Sequence, residues 1–313
     1  MATRLFCCSH SPLMLTDIEP TDISAQEEFN AGLANIAREL VAFDPELVVV
    51  FGPDHFNGFF YDLMPSFCIG LAASSAEDWQ LKPGRLRVPK DLALGCVRSL
   101  HAQDIDVALS YDMKVDHGIT IPLHKLAGSL DRYEVLPVFV NCAADPRPSF
   151  RRARIFGDAV GRFLATTGKR IAVIGSGGLS HDPPTPRVGE VPAPIAERLI
   201  YRHTPTREEY ERRESRVVAL ARDLVNGQGP CMQPDREWDQ RFLNRFVAFD
   251  DAAIDGISDA EIDREAGFGG HEVRSWVSAS AAARALGVKA AEIRTYRLVP
   301  EWITGMGIVA GRD

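Results

Sequence analysis

Short apolar runs of strand length alternate along this chain with segments whose apolar residues recur at helical spacing. The run 47–51 (LVVVF) is continuously apolar and rich in valine, which predicts a strand that is covered on both faces. In the segment before it, apolar residues repeat every three or four positions, at Phe29, Leu33, Ile36 and Leu40. That spacing predicts a helix, and the alternation of the two patterns is typical of α/β proteins with a parallel sheet.

The alternation continues to about residue 174, and a proline-rich stretch and further helical segments follow it. More strands are predicted over residues 66–72, 105–111, 135–140 and 171–174, and more helices over residues 89–101, 121–128 and 149–166. The stretch from Pro183 to Pro205 is rich in proline and polar residues and is interpreted as a long irregular connection. Beyond it, helices are predicted near residues 207–226, 238–249, 259–266 and 271–286.

These elements predict an α/β fold with a mostly parallel central sheet flanked by helices, and a helical C-terminal third that covers the functional edge of the sheet. A length of 313 residues with 45% hydrophobic content allows the chain to bury a large core. We expect a single α/β domain over residues 1–313.

The charge and the apolar runs of the chain argue against two classes of partner. The formal net charge is −8 and no Lys/Arg-rich run is present, whereas nucleic-acid and membrane-surface binding need a concentrated basic patch. The longest apolar runs are far shorter than the roughly 20 residues that span a bilayer, and no secretory signal pattern is recognised. The six cysteines have neither CxxC spacing nor the density of a disulfide scaffold. We therefore expect a cytoplasmic protein that binds neither nucleic acid nor membranes.

Four of the eight histidines closely follow segments with strand character: His10, His55, His117 and His181. In open α/β sheets ligands bind beyond the carboxyl ends of the strands, so residues far apart in sequence meet at one edge. Four imidazoles at one edge predict a metal site with acid/base partners. Taken alone, any one of these histidines is more often an ordinary polar residue of a loop.

A metal site also needs a carboxylate, and Glu272 is the leading candidate. It lies in the segment GGHEVRSW (269–276), where glycines precede a predicted helix. Two histidines and one carboxylate on one face of an octahedron leave three positions open, which is the arrangement of non-haem Fe(II) oxygenases. The alternative for Glu272 is an acid in the first helical turn that stabilises the helix macrodipole.

Two Asp-His pairs and one glycine-rich segment contribute further candidates. Asp54 precedes His55 and could orient an imidazole, whereas Asp116 precedes His117 and could tune a nearby proton-transfer group. Ordinary turn chemistry is the alternative for both pairs. The glycines of GSGGLSH (175–181) lack the order of a dinucleotide or P-loop motif, so we interpret them as positions where the backbone passes close to a ligand or metal.

Seven segments, spread in order over essentially the whole chain, closely resemble the type III extradiol ring-cleavage dioxygenases. They are SHSPL (9–13), PDHFNGFFYDLMPSF (53–67), VDHG (115–118), LPVFVN (136–141), GSGGLSH (175–181), GGHEVRSW (269–276) and PEWITGMG (300–307). Each motif is short, but the set is highly specific. The resemblance implies an Fe(II) enzyme that uses O2 to open a catechol-type ring next to its two hydroxyls, without an external reductant.

The resemblance also implies roles for individual residues. The iron would be bound by His10, His55 and Glu272. His117 would be the proton donor, and His181 would be the proton acceptor.

Asp116 is expected to support this site from outside the set of metal ligands. The resemblance further implies a small-molecule catechol with a three-carbon carboxylic acid side chain as substrate, in the catabolism of aromatic compounds. No lysine or arginine lies beside a site histidine in a motif that fixes its direction, so the sequence leaves the partner of that carboxylate open. Because all the motifs lie in one chain, we expect no different partner subunit, and we expect a homo-oligomer.

Three alternative functions remain open at this point. The first is extradiol cleavage of another substituted catechol, and the second is a zinc hydrolase or amidase that uses a metal-bound hydroxide at the same site. The third is a non-catalytic binding protein on a related fold, against which the presence of all five proposed site residues argues. Metal analysis together with O2 uptake on a catechol separates the oxygenase from the hydrolase.

Overall fold

A sheet of eight strands forms the centre of the protein in the computed structural model, which describes residues 2–313. In chain order the strands are β1 (Thr3–Cys8), β2 (Leu47–Gly52), β3 (Phe67–Gly70), β4 (Ala73–Ser75), β5 (Ala108–Ser110), β6 (Met113–Val115), β7 (Val135–Val140), β8 (Ile171–Ser176), β9 (Ala290–Val299) and β10 (Thr304–Arg312). The large sheet has the order β5-β3-β7-β2-β8-β1-β10-β9, and β4 pairs with β6 in a separate two-stranded sheet.

Helices flank the large sheet. In chain order they are α1 (Ile23–Phe43), α2 (Lys90–His101), α3 (His117–Ala127), α4 (Phe150–Ala165), α5 (Ala193–Ile200), α6 (Arg207–Val225), α7 (Arg236–Val247), α8 (Asp251–Asp255), α9 (Asp259–Glu265) and α10 (Val273–Ala285). Short 3-10 turns cover Pro12–Leu15, Asp78–Gln80, Phe268–Glu272 and Pro300–Trp302.

The centre of the large sheet is parallel. β2 pairs in parallel with β7 and β8, and β8 pairs in parallel with β1, whereas the pairs β3–β7, β1–β10 and β10–β9 are antiparallel. Every residue of β2 and β8 is buried, as expected for strands that are covered on both faces. The predicted α/β class with a mostly parallel central sheet and flanking helices is confirmed.

Side chains of the central strands alternate between two apolar cores. In β1, Leu5 and Cys7 belong to the core that includes α4 and α10, whereas Phe6 and Cys8 belong to the core that includes α1 and α3. Successive residues of a strand point to opposite faces, which explains this division. The sheet is therefore the middle of three layers, and its strand ends are free to carry a site.

The C-terminal third differs from the helical prediction after Ala285. Two long antiparallel strands, β9 and β10, follow there. β10 lies between β1 and β9, and residues 304–311 are buried. Its sequence, TGMGIVAGR, contains three glycines, which are unfavourable in strands, so the local pattern gives little indication of one. Pairing with β1 overrides this weak propensity.

The stretch from Pro183 to Pro205 is not wholly irregular, because it contains α5. Pro192 precedes the first residue of this helix and another proline lies in its first turn. Proline is tolerated there because the first N–H groups of a helix have no intrahelical partner. Leu199 of α5 packs with Phe56 and Phe60, which fixes the stretch over the ends of the central strands.

Two other expectations from the sequence concern the whole chain. None of the helices in residues 2–313 is both long and apolar enough to cross a membrane. All six cysteines are free, and five of them are buried. The single domain over residues 1–313 and the homo-oligomer stay predictions.

The close approach of α4 to α10 depends on glycines of α4. A Cβ atom at Gly157 would lie 2.0 Å from the carbonyl oxygen of Ser278, and one at Gly161 would lie 2.3 Å from that of Ala282. Both contacts are with the backbone of α10, which cannot rotate away as a side chain can. Only a residue without a side chain fits at these two positions.

We predict that Gly157→Ala lowers the free energy of unfolding by about 1–3 kcal/mol, because the added methyl group forces the two helices apart. Urea denaturation followed by circular dichroism measures this change. Gly256→Ala is the matched control, because an added Cβ there would approach no atom closer than 3.4 Å and the backbone is right-handed. Equal stability of the two variants would show that the spacing of α4 and α10 is not a packing constraint.

Candidate metal centre and active site

Residues from distant parts of the chain come together beyond the carboxyl ends of the central strands. His10 follows β1, His55 follows β2 and His181 follows β8, and these three strands are neighbours in the sheet. Glu272 reaches the same place from the 3-10 turn that precedes α10. The edge of the sheet that the sequence analysis selected therefore holds a cluster of ionisable groups.

His117 reaches this cluster by a route that the sequence analysis did not predict. The strand before it is β6 of the small sheet, and His117 is the first residue of α3. Its ring stacks on that of His55 with 4.1 Å between the centroids, and it lies 5.5 Å from that of His10. The residue joins the cluster as expected, but its placement after a strand of the central sheet was wrong.

The carboxylate of Glu272 faces three imidazoles. Its Oε1 lies 3.0 Å from Nε2 of His55 and 3.3 Å from Nε2 of His181, and its Oε2 lies 3.7 Å from Nε2 of His10. Although Glu272 is at the N-cap of α10, its side chain makes no capping hydrogen bond to the first turn of that helix. The group instead accepts the backbone N–H of Gly178 at 2.8 Å.

Burial and charge set the protonation states in this cluster. Burial alone would raise the pKa of Glu272, but the facing imidazoles of His181 and His10 outweigh it and hold that pKa well below its usual range. Burial lowers the pKa of His10 to about 3. An ionised carboxylate and a neutral imidazole are the forms in which Glu272 and His10 would bind a metal ion. At His55 burial would lower the pKa, but the carboxylates of Asp116 and Glu272 outweigh it and raise the pKa well above its usual value, so metal binding there would have to displace a proton.

Each imidazole of the cluster is held through its Nδ1 atom by a different group. The pairs are His10 with Oγ of Ser176 at 2.9 Å, His55 with Oδ2 of Asp116 at 3.0 Å, His117 with Oδ2 of Asp78 at 2.5 Å, and His181 with the carbonyl oxygen of Leu179 at 2.8 Å. Such contacts fix the orientation of a ring, which metal-binding and proton-transferring histidines require. A carboxylate or carbonyl partner also fixes the tautomer because it only accepts, whereas the hydroxyl of Ser176 can donate or accept. They leave the Nε2 atoms for the centre of the cluster.

Ligand atoms of three imidazoles, those of His10, His55 and His117, lie within 4.8 Å of one another. By distance alone, His117 could therefore replace Glu272 in a metal shell. The two ligand sets differ in charge, because one contains a carboxylate and the other contains only imidazoles.

Asp116 supports the cluster through His55 rather than through its neighbour in sequence. Its Oδ2 lies 3.0 Å from Nδ1 of His55 but 3.9 Å from Nδ1 of His117. The same oxygen accepts the backbone N–H of His55 and a side-chain N–H of Asn57. Burial would raise the pKa of Asp116, but the imidazoles of His55 and His117 outweigh it and lower the pKa. Adjacent side chains point apart here, because Asp116 also caps the first turn of α3.

The sequence suggested that Asp54 could orient an imidazole, but the structure shows no such contact within residues 2–313. Its carboxylate accepts the backbone N–H groups of Asn57, Gly58 and Phe59, so it shapes the loop that carries His55. Burial raises its pKa to about 7. For the Asp54–His55 pair the alternative interpretation therefore holds, because the aspartate makes ordinary hydrogen bonds within a turn.

Asp78 is a site residue that the sequence analysis missed. Its Oδ2 atom lies 2.5 Å from Nδ1 of His117, and the residue is buried. It lies in a short turn in which Glu77, Trp79 and Gln80 all have left-handed backbone angles. Glu214 of α6 accepts the backbone N–H of Trp79 at 2.6 Å and so anchors this turn. Asp78 lies three residues beyond β4, but the predicted strand ended at residue 72 and no histidine lies near in sequence, so no local signal marked it.

The glycine-rich segment 175–181 passes directly against Glu272, as interpreted from the sequence. A Cβ atom at Gly177 would lie 2.7 Å from the backbone oxygen of Glu272 and 2.9 Å from its Cβ atom. Ser180 donates its backbone N–H to the buried carboxylate of Asp239 at 2.7 Å, which fixes the end of the segment. His181 is thereby turned towards the cluster.

A cavity of about 350 Å³ opens onto the cluster. Its walls come from Trp79, the stretch 183–205, α6 and the turn Pro300–Trp302. This volume lies within the range of small-molecule sites, and apolar walls with a few convergent polar groups are typical of them. The C-terminal helical region therefore covers the site, as predicted, and the stretch 183–205 contributes to that cover.

A family model and individual relatives assign this chain to the same family of proteins. Residues 4–307 match the model of the family described as the catalytic LigB subunit of aromatic ring-opening dioxygenase. A protein of Paraburkholderia xenovorans named 2,3-dihydroxyphenylpropionate/2,3-dihydroxicinnamic acid 1,2-dioxygenase is 48% identical over 314 residues, which cover 100% of this chain and 98% of the relative. The protein of the same name from Cupriavidus pinatubonensis is 47% identical over 306 residues, covering 97% and 96% of the two chains.

Both the family model and these relatives match nearly the full length of the chain, so the likeness is not confined to the segments that carry the histidine cluster. The chain therefore belongs to the family of the catalytic LigB subunit of aromatic ring-opening dioxygenases, and it is an oxidoreductase of the dioxygenase class.

Proposed function

We propose that this protein is an Fe(II)-dependent extradiol dioxygenase. Its substrates would be 3-(2,3-dihydroxyphenyl)propionate and 2,3-dihydroxycinnamate. O2 would convert the propionate to a 2-hydroxy-6-oxo-dienedioate and the cinnamate to the corresponding trienedioate. The observation that carries the proposal is the convergence of His10, His55 and Glu272 at one end of an apolar cavity, with His117 and His181 beside them. The names of the relatives support the choice of substrate.

The donor groups fit Fe(II). His10, His55 and Glu272 would hold the metal, because two imidazoles and one carboxylate are the set that non-haem Fe(II) oxygenases use. The negative charge of Glu272 favours this set over the one with three imidazoles. When bound, Fe(II) would ease deprotonation of a chelating catechol and supply the redox chemistry for O2.

The partner of His181 suits a proton acceptor. The carbonyl oxygen of Leu179 can only accept, so Nδ1 of His181 carries a proton. In the neutral ring the lone pair is then on Nε2, which faces the cluster. From that position His181 would take the proton of a catechol hydroxyl.

The partner of His117 suits a proton donor. A carboxylate at Asp78 accepts from Nδ1, and its negative charge stabilises an imidazole that carries protons on both nitrogens. His117 would then deliver the proton on Nε2 to the substrate as the ring opens. At Nδ1, His117 meets a carboxylate and His181 meets a neutral carbonyl, which supports different tasks for the two rings. Burial would lower the pKa of His181, but the carboxylate of Glu272 faces its Nε2 and raises the pKa. As a metal ligand, Glu272 would be neutralised by the metal.

The apolar walls would hold the aromatic ring and exclude water, which strengthens the electrostatic contacts of the cluster. We also propose that no different partner subunit is required, because this one chain carries all five side chains.

Four compounds test the choice of substrate. After anaerobic loading with Fe(II), kcat/KM from oxygen uptake should be highest for 3-(2,3-dihydroxyphenyl)propionate. Catechol should react much more slowly, because binding energy from the side chain that orients the ring is lost. The methyl ester of the propionate should fall in between. A preference for protocatechuate would place the enzyme elsewhere in the family, and product formation without O2 uptake would indicate the hydrolase.

If His10, His55 and Glu272 hold the iron, replacing any one of them should cause loss of the metal. His10→Ala, His55→Ala and Glu272→Ala should each remove most of the bound iron and the activity, while the far-ultraviolet circular dichroism is retained. Iron content per chain measures the effect, and His101→Ala, which changes an exposed histidine, is the control. If Glu272→Ala kept stoichiometric iron and substantial turnover, the assignment of Glu272 would be wrong.

Replacing the proposed proton donor or proton acceptor should have a different effect from replacing an iron ligand. His117→Gln and His181→Gln should keep the iron but lose about 10²-fold or more in turnover. Asp78→Asn should also lower turnover with iron retained, because it removes the charge that supports His117, and the exposed Glu77→Gln is its control. Iron loss in His117→Gln equal to that in His10→Ala would instead place His117 among the ligands.

A further inference from the structure

Four arginines line the cavity, and they differ in whether a carboxylate neutralises them. Arg198 lies 3.5 Å from Glu209, and Arg212 lies 3.2 Å from Glu208. In residues 2–313, neither Arg213 nor Arg216 has a carboxylate oxygen within the 4.0 Å of an ion pair. The cavity therefore presents two cations of α6 whose charge is not compensated.

Arg213 is the better fixed of these two cations. Its Nη2 donates to the backbone oxygen of His55 at 2.6 Å, and its Nη1 donates to Oδ1 of Asn57 at 3.3 Å. Both acceptors are uncharged, so the guanidinium group has a defined position but keeps its full charge. The remaining N–H groups of its fork are available to a ligand. Arg216 makes no hydrogen bond to any described residue.

Several carboxylates surround the imidazoles at the floor of the cavity. Glu272, Asp116 and Asp78 are buried around the imidazoles, and the chain carries a net charge of −8. A carboxylate that enters such a cavity needs a local cation, because an unpaired anion out of water is costly. Arginine suits this role, since its planar fork can form two parallel hydrogen bonds to one carboxylate.

We propose that Arg213 recognises the side-chain carboxylate of the substrate by a direct ion pair. The inference rests on the proposed function and deepens it, because it names the group that selects carboxylate-bearing catechols. The contact of Arg213 with the backbone of His55 places the cation next to the loop that carries a proposed iron ligand. A ring chelated at one end and held at its carboxylate at the other has one orientation, with the substituted carbon turned towards α6.

Anaerobic binding tests this proposal without turnover. Dissociation constants of 3-(2,3-dihydroxyphenyl)propionate and its methyl ester are measured by calorimetry on the Fe(II)-loaded enzyme. The preference of the wild type for the acid over the ester should fall about 10-fold or more in Arg213→Met, because a charge-assisted pair is lost while the alkyl stem stays. Arg213→Lys should retain part of the preference, and iron content is measured on every variant.

Arg212→Met is the matched control, because it removes a neighbouring cavity arginine that Glu208 already neutralises, and it should leave the preference for the acid in place. An unchanged preference in Arg213→Met, or a loss that occurs in Arg216→Met instead, would overturn the proposal. The proposed function fails separately: if the wild type opened neither compound with O2 but still bound the acid through Arg213, the carboxylate site would stand and the activity would not.

Discussion

The burial of one carboxylate among imidazoles is the constraint on which the rest of this site depends. Glu272 is 5% exposed, and it faces Nε2 atoms of three histidines. An ion in such a position must be compensated, or it would take up a proton. The surrounding contacts follow from this requirement. A glycine at position 177 lets the neighbouring segment pass against Glu272, and each facing ring is fixed from behind through Nδ1. The same arrangement that keeps the charge also orients the rings.

Charged groups of both signs line the cavity, and they suit a site that treats two parts of a substrate differently. Carboxylates and imidazoles lie at the end formed by the sheet, where a metal and proton transfer are proposed. Uncompensated guanidinium groups of α6 lie in the wall that covers it. α6 is tied to the imidazole cluster at two points, because Glu214 holds the turn that carries Asp78 and Arg213 holds the loop that carries His55. We infer that the covering helix does more than exclude water, since it also positions the residues that support the imidazoles.

The sequence predicts the parallel centre of the fold and three of the four histidine positions, because continuous apolar runs mark buried strands and strand ends share one edge. It fails where structure depends on distant partners. β10 contains three glycines and becomes a strand through its pairing with β1. His117 follows a strand of a small separate sheet, which periodicity cannot distinguish from the large one. Asp78 lies in a turn with left-handed residues, and Arg213 lies on an exposed helical face. Nothing local to either residue indicates that it contacts a histidine segment far away in the chain.

The central claim is that this cluster holds Fe(II) and opens a catechol ring with O2. The stoichiometry of the reaction tests it most directly. Enzyme freed of metal, loaded anaerobically with either Fe(II) or Zn(II), is mixed with 3-(2,3-dihydroxyphenyl)propionate and a measured amount of O2. The iron enzyme should consume one O2 for each molecule of yellow ring-fission product without an added reductant, and the zinc enzyme should form none. Product formation by the zinc enzyme, or by the iron enzyme without consumption of O2, would contradict it.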